Sequence, residues 1–410
     1  MNRTKIILST FGPLHLIKSA EFLSRHVEIL VIQGWIPSWW NKWLLKHISR
    51  YIGYDLSRTI RKRTPECLNN RNIGIGFPEF WNCFCRFFIK NQTIRNIGIA
   101  FSMKIYGNMS CRYLKDAKIF HVRSGSGRGG AIEKAHKKGM KVIVDHSIAH
   151  PLFMEKQLKK EYDKFKLSFG LSSHTPLWKE VINDCNEADI ILVNSHFVKE
   201  TFVNAGYDEN KIRIVYLGVR EDFFGLKKNY QIQKKLRILF TGGFGLRKGA
   251  EYALKAMQKL DQIGIEYEFI VVGSNSEAKI LIDKYPSKHL KLIGMVPQDD
   301  LKQYLSTSDI YLFPSLCEGC ASSGMEAMAA GLPVIATQES GLPITHLQTG
   351  IIIPSKDVDA IVQSILILYN EIKLRENIGK ASYYNISNNY TWDKYAEQVK
   401  LIYQKLLINK

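Results

Sequence analysis

The sequence predicts an α/β protein built from two Rossmann-like parallel-sheet domains, and three observations predict it. A chain of 410 residues exceeds one ordinary hydrophobic core, so two units of about 200 residues are expected. Short apolar runs that end in polar or glycine-containing turns alternate with helical stretches, as strands feeding helices should. The series also begins afresh after a mixed, polar stretch at 218–235 that holds Lys227, Lys228, Lys234 and Lys235, which reads as a linker. The expected division is 1–218, 219–390 and a terminal helix at 391–410.

In the first unit the apolar runs predict strands at 5–9, 27–32, 118–122, 141–145 and 189–194, with a loop at 10–13 and then a helix through His26. In the second unit strands are expected at 237–241, 267–272, 290–293, 310–313 and 334–337, with helices from Ala250 and over 358–369. Trp392, Tyr395, Val399, Ile402, Tyr403 and Leu406 recur at helical spacing near the end. Open parallel sheets bind ligands beyond the carboxyl ends of their strands, so the loops after these runs are where functional residues are sought.

Composition narrows the class. A hydrophobic share of 45% argues for a globular chain. Seven cysteines, at 67, 83, 85, 111, 185, 317 and 320, are odd in number and scattered, which fits a reducing, cytoplasmic compartment better than a disulfide framework. Cys317-x-x-Cys320 has metal spacing, but Glu318 and Gly319 lie inside the pair and no metal is expected. Residues 1–20 superficially resemble a signal peptide. Pro13 and His15 break that stretch, and 6–8 makes a better first strand. No run of 18 apolar residues is present to span a membrane. Charge is uneven: residues 1–200 hold 32 Lys and Arg against 16 Asp and Glu, +16, and residues 201–410 hold 25 against 22, +3. The first unit therefore either meets an anionic partner or carries a solvated lysine-rich surface.

Two stretches of the second unit carry chemistry. Glu318 and Glu326 stand eight positions apart among the small residues Gly319, Cys320, Ala321 and Ser322, between two apolar runs. That spacing reads as strand, tight loop and short helix, with Glu318 on the loop and Glu326 in the first helical turn. Backbone N–H groups at 322–324 would face an anion. Earlier, Gly242-Gly243-Phe244-Gly245-Leu246-Arg247-Lys248-Gly249 follows a strand. Here a sharp turn, a helix start and two cations would all attract anions. A dinucleotide-binding reading of Gly243-x-Gly245 fails because the third glycine is misplaced.

The paired glutamates resemble the E-x7-E signature of the retaining GT-B glycosyltransferases of family 4, and the glycine-rich turn resembles that family's G-R-x-x-x-R-K-G segment. The resemblance covers the second unit closely and the first loosely. It implies two Rossmann-like domains facing a central cleft, with the terminal helix crossing back onto the first. It also implies a metal-independent, hexosyltransferase-type enzyme that uses a UDP- or GDP-linked sugar as substrate and needs no cofactor. Arg247 and Lys248 would bind the donor diphosphate; Gly243 stands where the family often has arginine. Glu326 would meet the ribose hydroxyls and Glu318 the sugar, with Gly319, Cys320, Ala321 and Ser322 along the phosphate and sugar. Met295 and Val296 would contact the base through their backbone, and Gly12 would line the cleft. His150, rather than His146, would face the donor sugar and leaving phosphate. Ordinary readings stay open for each: strand-end packing for 295–296, loop histidines for 146 and 150, a dipole-favoured glutamate for 326.

The acceptor side is read from the first unit. The loop 124–130, rich in glycine, suits an acceptor or phosphate group. At 38–53, Trp39, Trp40, Trp43 and Leu44 alternate with Lys42, Lys46 and Arg50, and aromatic residues gather again at 77–88. Such amphipathic stretches suit an anionic membrane surface or ordinary packing on the sheet. A saccharide or lipid-linked acceptor, presented at the inner face of the plasma membrane, is the expectation, with no nucleic acid bound. The competing readings are a non-catalytic family member and a basic nucleic-acid-binding protein, which would leave the paired glutamates unexplained.

Overall fold

The computed structural model describes residues 4–12, 15–37, 63–170, 172–274 and 277–408. Two sheets organise it. The first comprises β1 (Lys5–Thr10), β2 (Glu28–Gln33), β3 (Asn72–Gly74), β4 (Ile119–Arg123), β5 (Lys141–His146), β6 (Ile190–Val193) and β7 (Ile212–Ile214), in the order β3-β2-β1-β4-β5-β6-β7. The second comprises β8 (Leu236–Thr241), β9 (Tyr267–Val272), β10 (Leu290–Gly294), β11 (Ile310–Phe313), β12 (Val334–Thr337) and β13 (Ile351–Ile353), ordered β10-β9-β8-β11-β12-β13. Every paired strand is parallel, with β1 between β2 and β4, and β8 between β9 and β11. The strand order therefore reverses at β1/β4 and at β8/β11, which opens a crevice at each carboxyl edge.

The central strands are apolar on both faces because helices cover both sides. β6, β11 and β12 are buried throughout, whereas the edge strand β10 is mostly exposed. Helices connect successive strands. Ala250–Ile263 ends at Gly264 and Ser322–Ala330 at Gly331, both with φ 84°, where glycine alone takes the left-handed turn without strain. β3, β7 and β13 add three strands to those expected, each of three residues and too short to show periodicity. The first helix closes at Leu23 instead of His26, because 24–26 form a turn that hydrogen-bonds back to Ala20, Phe22 and Leu23. The amphipathic stretch 38–53 lies outside the described residues.

The last helix, Trp392–Ile408, packs on the first sheet. Its Tyr395, Ala396, Val399 and Tyr403 are buried with Leu16, Ile17, Ala20 and Leu23 of helix His15–Leu23. Tyr403 Oη lies 2.7 Å from His121 Nδ1 on β4, and Arg25 pairs with Asp393 at 2.6 Å. The chain crosses between the sheets twice, at adjacent places: Val219 and Thr391 form a parallel bridge, and the Val219 N–H donates to the Tyr390 carbonyl at 2.8 Å.

Past β5, two histidines turn inward. His146 lies 3.0 Å from Ser124 Oγ and stacks edge-on against Phe202, centroids 4.9 Å apart. His150 caps helix Pro151–Lys164, its Nδ1 accepting from the Leu152 N–H, and sits edge-on to Phe202 at 5.0 Å. Burial pushes both imidazoles toward the neutral form, His146 to about 3 (helped by the Arg123 and His150 charges) and His150 to about 4. In the unfolded chain each would titrate near about 6.5. Below that pH the unfolded state binds protons that the folded state refuses, so stability falls as pH drops from about 6.5 toward 4, by about 1.4 kcal/mol per pKa unit of displacement. His150→Asn keeps a side-chain cap and removes one such group. Urea midpoints measured at pH 7 and pH 5 should fall less in H150N than in the parent; other buried groups cancel in that comparison, and equal drops would show that His150 is not held neutral.

Candidate functional site

The second sheet's crevice holds the acidic and cationic residues together. Arg247 and Lys248 follow β8 in the turn Leu246–Lys248, and Glu318 follows the neighbouring strand β11. Glu318 Oε1 accepts from Arg247 Nη1 at 2.6 Å and from Lys248 Nζ at 2.9 Å. The same guanidinium nitrogen donates to the Cys317 carbonyl at 2.8 Å. Backbone bonds fasten the two loops: the Leu316 N–H and the Ser315 hydroxyl both donate to the Arg247 carbonyl, at 2.9 and 3.1 Å. Lys248 Nζ also stands 4.7 Å from the Phe313 ring centroid. Gly249, at φ 73°, is required here, since any side chain would strike the Pro314 carbonyl.

Electrostatically the three charged groups are only partly wetted. Burial lowers the Lys248 pKa, an effect that the Glu318 carboxylate opposes but does not cancel. Burial would also lower that of Arg247, but the adjacent Glu318 outweighs it and the net shift is upward. Beside them opens a cavity of about 210 Å³ lined by Tyr162, Gly243, Phe244, Gly245, Arg247, Lys248, Ser274 and Glu277. Gly243 is exposed, and no atom of the described residues lies within 4 Å of where its Cβ would be.

The Glu318 loop is also pinned from both sheets. Its N–H donates to the Glu339 carbonyl at 2.9 Å, the Ala321 N–H to Ser340 at 3.0 Å, and the Ala149 N–H reaches the Glu318 carbonyl at 3.2 Å. Ser195 Oγ donates to the Gly319 carbonyl at 2.5 Å. Gly319 is wedged against the Ser147 carbonyl and Asn194, where no Cβ would fit. Cys320 and Ala321 are buried beneath the loop, and burial pushes both the Cys317 and Cys320 thiols well up, which disfavours thiolate ligation. Among the described residues no three His, Cys, Asp or Glu side chains are placed to hold a metal ion. Ser322 is exposed at the start of helix Ser322–Ala330. Glu326 is half-buried in that helix's second turn instead of its first, because Ala321 (ψ 99°) is still extended and the helix starts only at Ser322.

Four expected site residues, His150, Met295, Val296 and Gly12, do not line the cavity beside Lys248. The His150 ring is 4% exposed and packed on Phe202 and Tyr207. It is therefore a core and capping group; its neighbour Ala149, through the backbone, is what touches Glu318. Met295 is 81% exposed and Val296 half-buried beyond the edge strand β10, and neither lines the cavity beside Lys248. Gly12 lies past β1 at the first sheet's own crevice, its carbonyl accepting from Thr10 Oγ1 at 2.9 Å.

The loop 124–130, expected to suit an acceptor or phosphate group, has two of its N–H groups taken from within the chain. Asp184 Oδ2 already accepts from the Gly125 and Gly127 N–H groups at 2.7 and 2.8 Å, and Arg128 lies 3.7 Å away. Burial, incompletely offset by those N–H groups and by Arg128, pushes the Asp184 carboxyl up to about 7. Missed altogether was Asp145, bonded to His15 at 3.0 Å and Arg123 at 3.0 Å. Burial would raise its pKa; His15, His121 and Arg123 hold it well below the usual range. Glu161 was missed too. It meets Lys356 at 2.9 Å and Tyr252 Oη at 2.7 Å, joining a helix of the first half to the second. Helical spacing gave a sign of neither, because their partners lie far away in sequence.

Comparison with known proteins bears on the family and on the fold. Residues 223–384 match the family described as Glycosyl transferases group 1. The amylovoran biosynthesis glycosyltransferase AmsK of Erwinia amylovora is 32% identical over 190 residues, 43% of this chain and 47% of that one. An uncharacterized 41.2 kDa protein in the cps region of Klebsiella pneumoniae is 29% identical over 236 residues, 54% of this chain and 64% of its own length. The match thus spans only about half to under two thirds of these relatives. Among solved structures, a glycosyltransferase from Rickettsia africae superposes with a TM-score of 0.66 at 16% identity over 100% of both chains. Anabaena HepE in complex with UDP and glucose gives 0.60 at 12% identity, over 98% of this chain and 100% of that one. At such identities the structures establish the fold, GT-B. The cationic turn and both glutamates lie inside the stretch 223–384 that matches the group 1 glycosyl transferases.

Proposed function

We propose that the protein is a retaining glycosyltransferase that moves a hexosyl group from a UDP- or GDP-linked sugar to a saccharide or lipid-linked acceptor in polysaccharide synthesis. The observation that carries this reading is the sharing of Glu318 by Arg247 and Lys248 at the β8/β11 crevice. Breaking a nucleotide-sugar bond leaves a diphosphate with new negative charge. Two preorganised cations, with the N-terminal N–H groups of helix Ser322–Ala330 close by in the chain, can stabilise that charge without a metal or cofactor. On donor binding, Arg247 and Lys248 exchange part of their bonding from the carboxylate to the phosphates, which releases Glu318 toward the sugar hydroxyls. Glu326, from the second turn, reaches the ribose. Gly12 and the 318–322 loop line the cleft. His150 acts by holding the 147–149 loop, not by touching the sugar. Same-face attack assisted by the leaving phosphate accounts for retention and needs no protein nucleophile. Support for a uridine donor comes from HepE, whose complexes hold UDP and UDP-glucose. Support for a polysaccharide product comes from relatives named for amylovoran and colanic acid biosynthesis.

A membrane-held acceptor is supported by a second observation. Helix Gly76–Phe88 presents Phe77, Phe80, Phe84, Phe87 and Phe88 to solvent, and helix Gln92–Ser110 adds Ile94, Ile97 and Phe101. Phe80 is 70% and Phe87 82% exposed, with Arg86 and Lys90 exposed alongside. An apolar ridge edged by cations matches an anionic bilayer surface, so we place the protein peripherally at the inner leaflet.

Thermal melts with UDP-, GDP-, ADP- and TDP-sugars should show selective stabilisation by one base, about 2.7 kcal/mol at a hundred times Kd. Lys248→Ala should abolish that shift. Glu318→Gln should keep it, because both cations remain, while turnover falls by about 100-fold or more. A flat panel would sink the donor assignment, and full turnover in E318Q would remove Glu318 from the reaction. In sedimentation with vesicles, phosphatidylglycerol-containing bilayers should bind the protein at low salt. Replacing Phe80, Phe84 and Phe87 with serine should cut that binding by about tenfold or more; undiminished binding would mean that the ridge is not the contact.

A further inference from the structure

A second, larger cavity of about 480 Å³ lies at the carboxyl ends of β6, β7 and β12. It shares no lining residue with the cavity beside Lys248. His196 and Tyr216 come from the first half of the chain, and Gln338, Thr345, Asn385 and Tyr390 from the second. Among the described residues no Asp, Glu, Lys or Arg lines it. The rings of Tyr216 and Tyr390 meet edge-to-face with centroids 5.3 Å apart, and His196 lies 6.2 Å from Tyr216. Aromatic faces with amide and hydroxyl groups, and no fixed charge in the described lining, suit a ligand that is polar, neutral and ring-shaped. Gln338 Nε2 donates to the Glu200 carboxylate at 3.2 Å, so a phosphate or carboxylate would meet negative charge there, with no lysine or arginine among the described lining residues to offset it. The volume falls within the range of about 300–1,000 Å³ usual for small-molecule sites.

The position matters as much as the lining. Tyr216 and Tyr390 stand beside the two crossings between the sheets, where the Val219 N–H bonds to Tyr390. Gly341, at φ 66°, forms part of the wall, and a Cβ there would run into the Gly319 carbonyl and Ser195 Oγ. The cavity therefore backs directly onto the loop that carries Glu318, while Gly319, Ser195 and Gly341 separate it from the cationic pair.

We propose that this pocket binds a neutral saccharide as a non-reacting ligand and couples its occupancy to the donor site. Because the sugar touches both halves at the crossings, it favours the arrangement in which the Glu318 loop is held, and reciprocal coupling to the nucleotide follows. The binding half of this inference stands without the proposed function, and the coupling half rests on it.

The test is saturation-transfer NMR with glucose, galactose, N-acetylglucosamine and their disaccharides, using the full chain without nucleotide. At least one neutral sugar should bind saturably, and glucuronic acid and glucose 6-phosphate should bind about tenfold more weakly or worse. Thr345→Trp, which fills the opening from an exposed position, and Gln338→Ala should each weaken the sugar by about tenfold, whereas Lys248→Ala should leave it unchanged. Adding UDP should shift the sugar affinity several-fold in the parent and not in K248A. If no neutral sugar binds, if charged analogues bind equally, or if T345W has no effect, the site is refuted. If UDP binds but leaves the sugar affinity unaltered, the coupling is refuted. If UDP does not bind while the sugar does, the donor reading fails and the pocket stands.

Discussion

One carboxylate shared between two cations sets the shape of the second sheet's crevice. Arg247 and Lys248 lie on one loop and Glu318 on the next, so their ion pairs join β8 and β11 beyond the point where strand hydrogen bonds end. Taking these groups partly out of water is costly, and the cost is met only while all three remain together. Truncating one member leaves charge in a poorly solvated place, which makes the trio cooperative. The neighbouring details follow from that closeness. Gly249 has to lack a side chain so that the turn can lie on Pro314, and the Arg247 carbonyl accepts from both Ser315 and Leu316 because the loops run within bonding distance.

The same loop decides how the two halves meet. Ala149, Ser195 and Ser147 of the first half press on Glu318 and Gly319, while Glu339 and Ser340 hold the loop from behind. A second meeting place is polar: Glu161 contacts Lys164, Lys356 and Tyr252, and Gln157 lies 3.3 Å from Ser355. Glu161 is buried, so its bonds to Lys356 and Tyr252 are directional ties that lose their worth when either partner is removed. One apolar cluster also runs through both halves, so the loop that carries Glu318 sits in a joint made of packed side chains as well as polar contacts.

Much of the fold was legible because strand runs in a parallel sheet are apolar on both faces. The strands at 267–272, 310–313 and 334–337 were read with the bounds that the structure shows. Strands of three residues, such as 72–74 and 351–353, carry no period to detect. At the site, the pairing of Glu318 with the glycine-rich turn was readable from motif spacing, since loops after adjacent strands of a switch point must meet. Side-chain direction was not readable. His150 follows a strand much as a cleft-facing histidine would, but Phe202 and Tyr207, about 50 residues on, supply an apolar wall that draws the ring inward. Likewise Gly125 and Gly127 looked like an empty anion nest until Asp184, on a distant helix, filled it from within the chain as the acceptor of both N–H groups.

The absence of a cation at Gly243 bears on how the crevice handles charge. Its Cβ direction is open, so sterics do not demand glycine there. A side chain at that position would project beside the cavity that Arg247 and Lys248 already line. With glycine instead, the positive charge that the described residues bring to the cavity comes from Arg247 and Lys248, and both are tied to Glu318. Glu277 lines the same cavity, so an entering anion would meet two cations already shared with one carboxylate, and a second carboxylate beside them. If the proposed donor chemistry holds, that competition falls on ground-state binding of the diphosphate, and the interactions that would speed the reaction are those that strengthen as the leaving phosphate gains charge.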